Sequence, residues 1–80
     1  MSEEHLVKMA NDIGAFFRAE PDREEALVGI VNHIVKFWTR RMREKLIAVL
    51  HDGRSTEFDE LTLEAVRRLA AAAGEAKRPV

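Results

Sequence analysis

Side chains capable of chemistry are scattered along this 80-residue chain and form no recognisable catalytic or metal-binding motif. The three histidines, His5, His33 and His51, include no pair spaced i, i+4 of the kind that binds zinc on a helix. The four glycines are isolated, so there is no phosphate-cradling loop. The absence of cysteine excludes thiolate nucleophiles, disulfides and the usual ligands of iron–sulfur clusters. We therefore expect a chain that is not an enzyme and itself binds no metal or cofactor.

The segment that begins at His33 carries the side chains best suited to bind a partner. Its aromatic and methionine side chains alternate with cations, and Trp, Phe, Met and Arg together are typical of protein interface cores. We predict a partner interface made of His33, Lys36, Phe37, Trp38, Arg40, Arg41, Met42 and Arg43. Phe37, Trp38 and Met42 would be its anchors. Arg41 and Arg43 would pair with carboxylates or carbonyls of the partner, although a solvated basic helix face remains the alternative.

The helix predicted ahead of this segment is apolar over a wide arc. Its large side chains cover far more of a helical wheel than the stripe of about 100° that a surface helix needs. They are Leu27, Ile30, Val31, Ile34, Val35, Phe37 and Trp38. So short a chain has few helices to cover this face, so a partner is expected. Which aromatics face the chain's own core is left open, but internal packing is expected for Phe16, Phe17, Leu27 and Ile34.

The periodicity of apolar residues predicts an all-α fold, a small bundle of three to four helices. Cap residues and turn residues set the expected boundaries. The predicted helices are a first after Ser2 to about Arg18, a second over Arg23 to Phe37 after Asp22, a third from Thr39 to Asp52-Gly53, and a last from Asp59 to Gly74. An uninterrupted helix over 23–51 is an alternative, because neither Pro nor Gly enforces a break near Thr39. Gly14, inside the first helix, would be explained by close approach of another helix or simply as a weak point of the helix.

Length and charge place the chain in a broad class. We expect a single helical domain over 1–80, ordered about 3–74, with a flexible tail over 75–80. The formal net charge of −1 argues against a general binder of nucleic acid or of anionic membranes. No apolar run approaches the about 18 residues of a membrane span, and the acidic N-terminus is unlike a secretory signal. The expected location is the cytoplasm.

Several short elements resemble the delta subunit of cytoplasmic NAD-dependent formate dehydrogenase. The specific ones are Met9-Ala10-Asn11 and the pattern Phe37-Trp38-x-x-Arg41-Met42, and the resemblance extends over about residues 6 to 70. Two departures stand out. The family usually has proline at the position of Arg40, and it tends to open the last helix with Ser-Pro rather than Asp59-Glu60. The first departure removes an expected helix break near Thr39.

The resemblance implies a noncatalytic accessory subunit of a molybdenum- or tungsten-dependent complex. In such a complex the alpha subunit holds bis-molybdopterin guanine dinucleotide and iron–sulfur clusters, and beta and gamma subunits, with FMN, pass electrons from formate to NAD. The resemblance thus implies binding to the catalytic alpha subunit and support of holoenzyme assembly or stability. Two alternatives stay open: a stand-alone homodimeric helical module, which includes self-association of the isolated chain, and a small nucleic-acid-binding helical protein.

Overall fold

The computed structural model describes the backbone of residues 2–76 and the side chains of residues 2–74. Within that part of the chain the fold is all-α, as predicted, and contains four α-helices. They are α1 (Glu3–Phe17), α2 (Arg23–Phe37), α3 (Arg40–His51) and α4 (Glu60–Ala76). A single 3₁₀ turn, Ser55–Glu57, connects α3 to α4. Each helix packs against the other three, and the pair formed by α2 and α4 is the most extensive.

Side-chain caps fix the beginnings of the first three helices. The hydroxyl of Ser2 accepts the His5 amide at 3.1 Å, and the carboxylate of Asp22 accepts the Glu25 amide at 3.2 Å. The hydroxyl of Thr39 accepts the amide of Met42 at 3.2 Å. These contacts satisfy amides that have no partner inside a helix. They confirm the predicted caps, and the Thr39 cap rules out an uninterrupted helix over 23–51.

The junction between α2 and α3 turns Trp38 into the core. Its backbone is extended, with φ −95° and ψ 146°, so the helix ends one residue before it. The Trp38 side chain is only 6% exposed, whereas the Phe37 side chain is 66% exposed. The guanidinium of Arg43 donates to the carbonyls of Trp38 at 2.8 Å and of Val35 at 3.3 Å, which satisfies carbonyls at the end of α2. Arg43 thereby ties α3 to the end of α2.

A single apolar core lies between the four helices. Its buried members are Leu6, Val7, Ala10, Leu27, Ile30, Ile34, Trp38, Leu46, Val49, Phe58, Ala65, Val66 and Leu69. Phe58 comes from the connection between α3 and α4, outside every predicted helix. Its backbone is extended at the end of the 3₁₀ turn, and its ring is buried. Internal packing is confirmed for Leu27 and Ile34.

Helices α1 and α4 approach closely at Gly14. A Cβ atom added there would overlap Oγ1 of Thr62 and lie 3.2 Å from its Cβ. Thr62 is fully buried, and its hydroxyl has no hydrogen-bond partner within the described part of the chain. The expected close helix approach at Gly14 is therefore confirmed, and α4 is the helix that approaches.

The ends of the two later helices differ in how well they were predicted. Gly53 follows α3 with a φ of 78°, the left-handed conformation expected of a glycine that ends a helix. Helix α4 continues through Gly74 to Ala76, so the predicted end at Gly74 was two residues too early. Glycine lowers helix propensity but does not by itself stop a helix. The predicted flexible tail otherwise falls on residues 77–80, which lie outside the described part.

We expect Trp38 and Phe37 to differ sharply in their effect on stability. Trp38→Ala should lower the free energy of unfolding by about 3–5 kcal/mol, because it empties a buried site. Phe37→Ala should change it by less than about 0.5 kcal/mol, because that ring is mostly in solvent. Urea unfolding followed by circular dichroism measures both. Equal losses in the two variants would contradict the assignment of Trp38 to the core.

Gly14→Ala should destabilise the bundle by about 1–3 kcal/mol, although alanine is the better helix former. The added methyl group must displace the side chain of Thr62. Thr62→Ala removes that obstacle together with an unpaired hydroxyl. The double variant should therefore recover most of the stability lost by Gly14→Ala, and a double-mutant cycle with additive effects would refute the contact.

Candidate functional site

A row of aromatic rings lies on the surface where the end of α1 meets α2. We call Phe16, Phe17, His33 and Phe37 the aromatic strip. The rings of Phe16 and Phe17 meet edge-to-face, with centroids 5.2 Å apart. His33 continues the row, 6.5 Å from Phe17 and 4.8 Å from Phe37. Phe16 is 76% exposed and Phe37 66% exposed, so both ends of the strip present their rings to solvent.

The sequence of α2 explains why the strip forms where it does. Gly29, His33 and Phe37 are spaced four residues apart, so they share one side of the helix. The Phe17 ring lies over Gly29, where a Cβ atom would overlap the ring. Gly29 thus makes room for an aromatic side chain from α1. Ring contacts then hold His33 between Phe17 and Phe37 and limit how far each ring can move.

The two ends of the strip carry opposite charges. At the Phe37 end, the ammonium group of Lys36 lies 5.7 Å from the ring centroid, within range of a cation–π interaction. Towards the other end, beside Phe17, a shallow groove contains three carboxylates, of which that of Glu24 is paired with Arg68 of α4. It is lined by Phe17, Glu20, Glu24, Glu25, Val28 and Gly29. A partner that covers the strip would therefore meet an acidic edge at one end and a cation at the other.

The eight residues predicted as a partner interface divide into three groups. His33, Lys36 and Phe37 come together at the strip. Trp38 and Met42 do not join them, because Trp38 is buried and Met42 packs partly buried against the core. For Trp38, a predicted anchor whose packing against the chain's own core was left open, the structure decides for the core, since the chain leaves the helix at that residue and carries the indole inward.

The three arginines of the predicted interface differ among themselves. Arg43 already donates to carbonyls of its own chain and is half-buried. Arg40 forms an exposed ion pair with Glu44 at 3.5 Å. Arg41 is exposed and has no ion-pair partner among residues 2–74. Of the three, Arg41 is therefore the cation most available to another molecule.

Phe16 was expected to pack internally, and this prediction is wrong. At about 100° per residue, Phe16 lies about 120° from Ala10 on the wheel of α1, well away from its buried side. The buried side of α1 is centred on Leu6, Val7, Ala10 and Gly14, and packing against the other helices rather than the periodicity of the sequence decides this. Phe17 is half-buried and contacts both the core and the strip.

The most strongly perturbed ionisable groups connect structural elements. Arg54, after α3, pairs with Glu57 at 2.6 Å and with Glu3 of α1 at 2.8 Å. Hydrogen bonds from the guanidinium lower the pKa of Glu57, and the two carboxylates raise the pKa of Arg54. Asn11 holds the same connection, because its amide donates to the Glu57 carbonyl at 3.0 Å and accepts the Asp59 amide at 2.9 Å.

Two further ion pairs join α2 to α4. Arg68 contacts both carboxylate oxygens of Glu24, at 2.6 and 2.8 Å, and Arg23 contacts both of Glu60, at 3.0 and 2.8 Å. Hydrogen bonds from Arg68 lower the pKa of Glu24, and the carboxylate raises the pKa of Arg68. Asp59, the predicted cap of α4, directs its carboxylate towards Arg18 at 3.6 Å. These charged groups therefore pair with one another between elements of the same chain.

Neither a metal centre nor a membrane span is found within the part of the chain that the structure describes. No three or more His, Asp or Glu side chains there lie close enough together to hold a metal ion. None of the helices there combines the length and the apolar character needed to cross a bilayer. The aromatic strip is therefore the surface feature that most invites a functional interpretation.

Comparison with protein families identifies the chain. Residues 5–66 match the family described as the NADH-dependent formate dehydrogenase delta subunit, FdsD. The chain belongs to the FdsD family. Comparison with curated proteins and with solved structures gives no match. Membership in the FdsD family confirms the resemblance noted in the sequence and makes the chain a subunit of a formate dehydrogenase complex.

The matched region contains the whole aromatic strip and most of the core. It begins in the first turn of α1 and ends inside α4. The Met9-Ala10-Asn11 element of FdsD lies within it, with Ala10 buried and Asn11 bound to the backbone ahead of α4. In the second element, Trp38 and Met42 pack inward while Phe37 and Arg41 stay exposed. The two elements on which the resemblance was noted therefore combine packing residues with surface residues.

The ion pairs of Glu24 and Glu57 should make stability sensitive to acid. Their folded-state pKa values lie below the ordinary value of 4.5, so the folded state takes up these protons less readily than the unfolded state does. This stabilisation is present above about pH 4.5 and is lost as the pH falls through the folded pKa values. We expect the urea midpoint to fall less steeply from about pH 6 to about pH 3 in Arg54→Gln/Arg68→Gln than in the unaltered chain.

Arg67→Gln serves as the matched control for this experiment, because Arg67 is an exposed arginine of α4 with no ion pair among residues 2–74. It should leave the acid dependence unchanged. Equal pH dependence in the double variant and the unaltered chain would show that these ion pairs do not set the acid sensitivity.

Proposed function

We propose that this chain is a noncatalytic accessory subunit that docks on the catalytic alpha subunit of formate dehydrogenase through the aromatic strip. Docking would support assembly or stability of a holoenzyme that oxidises formate to carbon dioxide and reduces NAD. The observation that carries the proposal is the exposure of Phe16 and Phe37. Other side chains already fill the core of this chain, which belongs to a delta-subunit family.

The arrangement of the rings supports a docking role. Edge-to-face and tilted contacts along the strip hold the rings in place before any partner arrives. An interface residue that is already ordered loses less conformational entropy on binding. Large aromatic side chains also dominate the binding energy of many interfaces. Phe16 and Phe37 therefore suit the role of anchors, with His33 and the exposed edge of Phe17 between them.

A cation next to the strip adds a polar rim to this surface, because Lys36 lies against the exposed Phe37 ring. Arg40 and Arg41, at the start of α3, line a depression together with Glu3 and Glu44, and Arg40 shares its charge with Glu44. In this proposal these cations meet carboxylates or carbonyls of the alpha subunit. Trp38, Met42 and Arg43 contribute indirectly, by fixing the α2–α3 junction that displays Phe37.

The proposal assigns redox chemistry to the other subunits. The molybdenum-bearing bis-molybdopterin guanine dinucleotide, the iron–sulfur clusters and FMN would all be held by alpha, beta and gamma subunits in the cytoplasm. Two features of this chain support that division. It has no cysteine for clusters, and its most perturbed ionisable groups, Arg54 and Arg68 with their carboxylates, pair with one another between helices.

Removing both exposed rings tests the docking surface. Phe16→Ala/Phe37→Ala should leave the circular dichroism spectrum and the urea midpoint close to those of the unaltered chain. Copurification with a tagged alpha subunit should fall at least about tenfold, because each lost anchor is expected to cost on the order of 1 kcal/mol or more. Formate-dependent NAD reduction by the reconstituted complex should fall with the amount of bound delta subunit.

Arg67→Ala is the matched surface control, since it removes an exposed side chain of α4 away from the strip. It should copurify like the unaltered chain. Full recovery of the complex with the double variant would exclude the strip as the docking surface. If Arg67→Ala lost copurification as strongly as the double variant, the loss would not be specific to the strip.

A further inference from the structure

The outer face of α2 carries a second row of exposed side chains, separate from the aromatic strip. We call Glu25, Val28, Asn32, Val35 and Lys36 the seam. The first four are separated by three, four and three residues, which is the spacing of a helix face that pairs with another helix. Val28 is 45% exposed and Val35 is 50% exposed. His33 of the strip follows Asn32 directly, so it lies about 100° further round the helix.

The seam is self-complementary when it is turned end to end. Val28 and Val35 lie at equal distances from a point between Val31 and Asn32. An acidic residue, Glu25, lies beyond one valine, and a cation, Lys36, lies next to the other. We infer that the free chain forms a symmetric dimer in which the α2 helices of two copies pack antiparallel along the seam. Each Val28 then contacts Val35 of the second copy, as a two-fold interface requires.

Charge selects the antiparallel arrangement over the parallel one. Glu25 and Lys36 are exposed, and within residues 2–74 neither forms an ion pair. With Val28 opposite Val35, Glu25 of one copy lies within two residues of the level of Lys36 in the other, or about 3 Å along the axis. Both lie on the same edge of the helix pair. In a parallel pair, Glu25 of one copy would lie about 16 Å along the axis from the level of Lys36 in the other, so this attraction would be lost.

Asn32 fixes the register of the two helices. It lies next to the two-fold axis, so the Asn32 amides of the two copies lie side by side and can hydrogen-bond to each other. A shift of the register would bury an unpaired amide against valine, which is costly. A single asparagine in an apolar seam sets register and orientation in helical pairs at some cost in affinity.

The valines of the seam make a small interface, so the dimer is weak. A standard interface buries about 800 Å² per partner, far more than one face of a short helix offers. The dimer therefore dissociates reversibly, at a concentration between about 10 μM and about 1 mM. The inference does not depend on the aromatic strip or on docking to the alpha subunit.

Sedimentation equilibrium of the isolated full chain across this concentration range tests the inference. The unaltered chain should follow a monomer–dimer equilibrium. Glu25→Lys and Lys36→Glu, each alone, should raise the dissociation constant about tenfold or more, because each turns two attractive contacts per dimer into repulsions. The double variant Glu25→Lys/Lys36→Glu restores opposite charges across the interface and should return the dissociation constant to within about threefold of the original.

Arg67→Glu is the matched control, because it reverses an exposed charge of α4 outside the seam and should leave the dimer unchanged. A monomer at every concentration would overturn the inference. A dimer that ignores both single reversals, or that the double variant does not restore, would overturn the antiparallel seam. Sedimentation measures self-association alone, and the docking proposal is tested separately with Phe16→Ala/Phe37→Ala, which changes no residue of the seam.

Discussion

The end of α2 at Phe37 is the constraint on which the rest of this structure depends. Because Trp38 adopts an extended backbone and Thr39 caps the next helix, two adjacent aromatic side chains go to opposite environments. The indole fills the core, and the Phe37 ring stays on the surface. Arg43 stabilises this break by donating to the carbonyls that α2 leaves unpaired.

Most of the arginines that form short ion pairs connect one structural element of the chain to another. Arg54 joins the start of α1 to the connection ahead of α4, and Arg23 and Arg68 each bind a carboxylate with both terminal nitrogens across the α2–α4 pair. Exposed ion pairs of this kind each contribute little to stability. Their value lies in geometry, because a two-point contact between guanidinium and carboxylate fixes the relative position of two helices. This use of arginine leaves Lys36 next to the aromatic strip, and Arg41 exposed on α3 without an ion-pair partner among residues 2–74.

The beginnings of the first three helices were predictable because their capping hydrogen bonds join residues close in sequence. The burial of individual side chains was not, because it depends on tertiary packing. The caps at Ser2, Asp22 and Thr39 involve residues three positions apart, so the sequence contains both partners of each hydrogen bond. The destinations of Trp38 and Phe58 depend on which helices surround the end of an element. No spacing within one segment encodes that information. The close contact at Gly14 was predictable as a contact, but its partner, Thr62, lies 48 residues further along the chain.

The aromatic strip could not be predicted as a whole either, because its residues come from two helices. His33 and Phe37 were recognisable as surface residues of one helix, yet their neighbours in the strip, Phe16 and Phe17, come from α1. The wide apolar arc of α2 suggested one excess face. In the folded chain, three different sides of that helix instead face three different environments. Ile30 and Ile34 face the core, His33 lies in the strip, and Val28 and Val35 face solvent. Since the core is complete without Phe16, Phe37 or the two valines, folding and association draw on different side chains, and each can be altered while the other is measured.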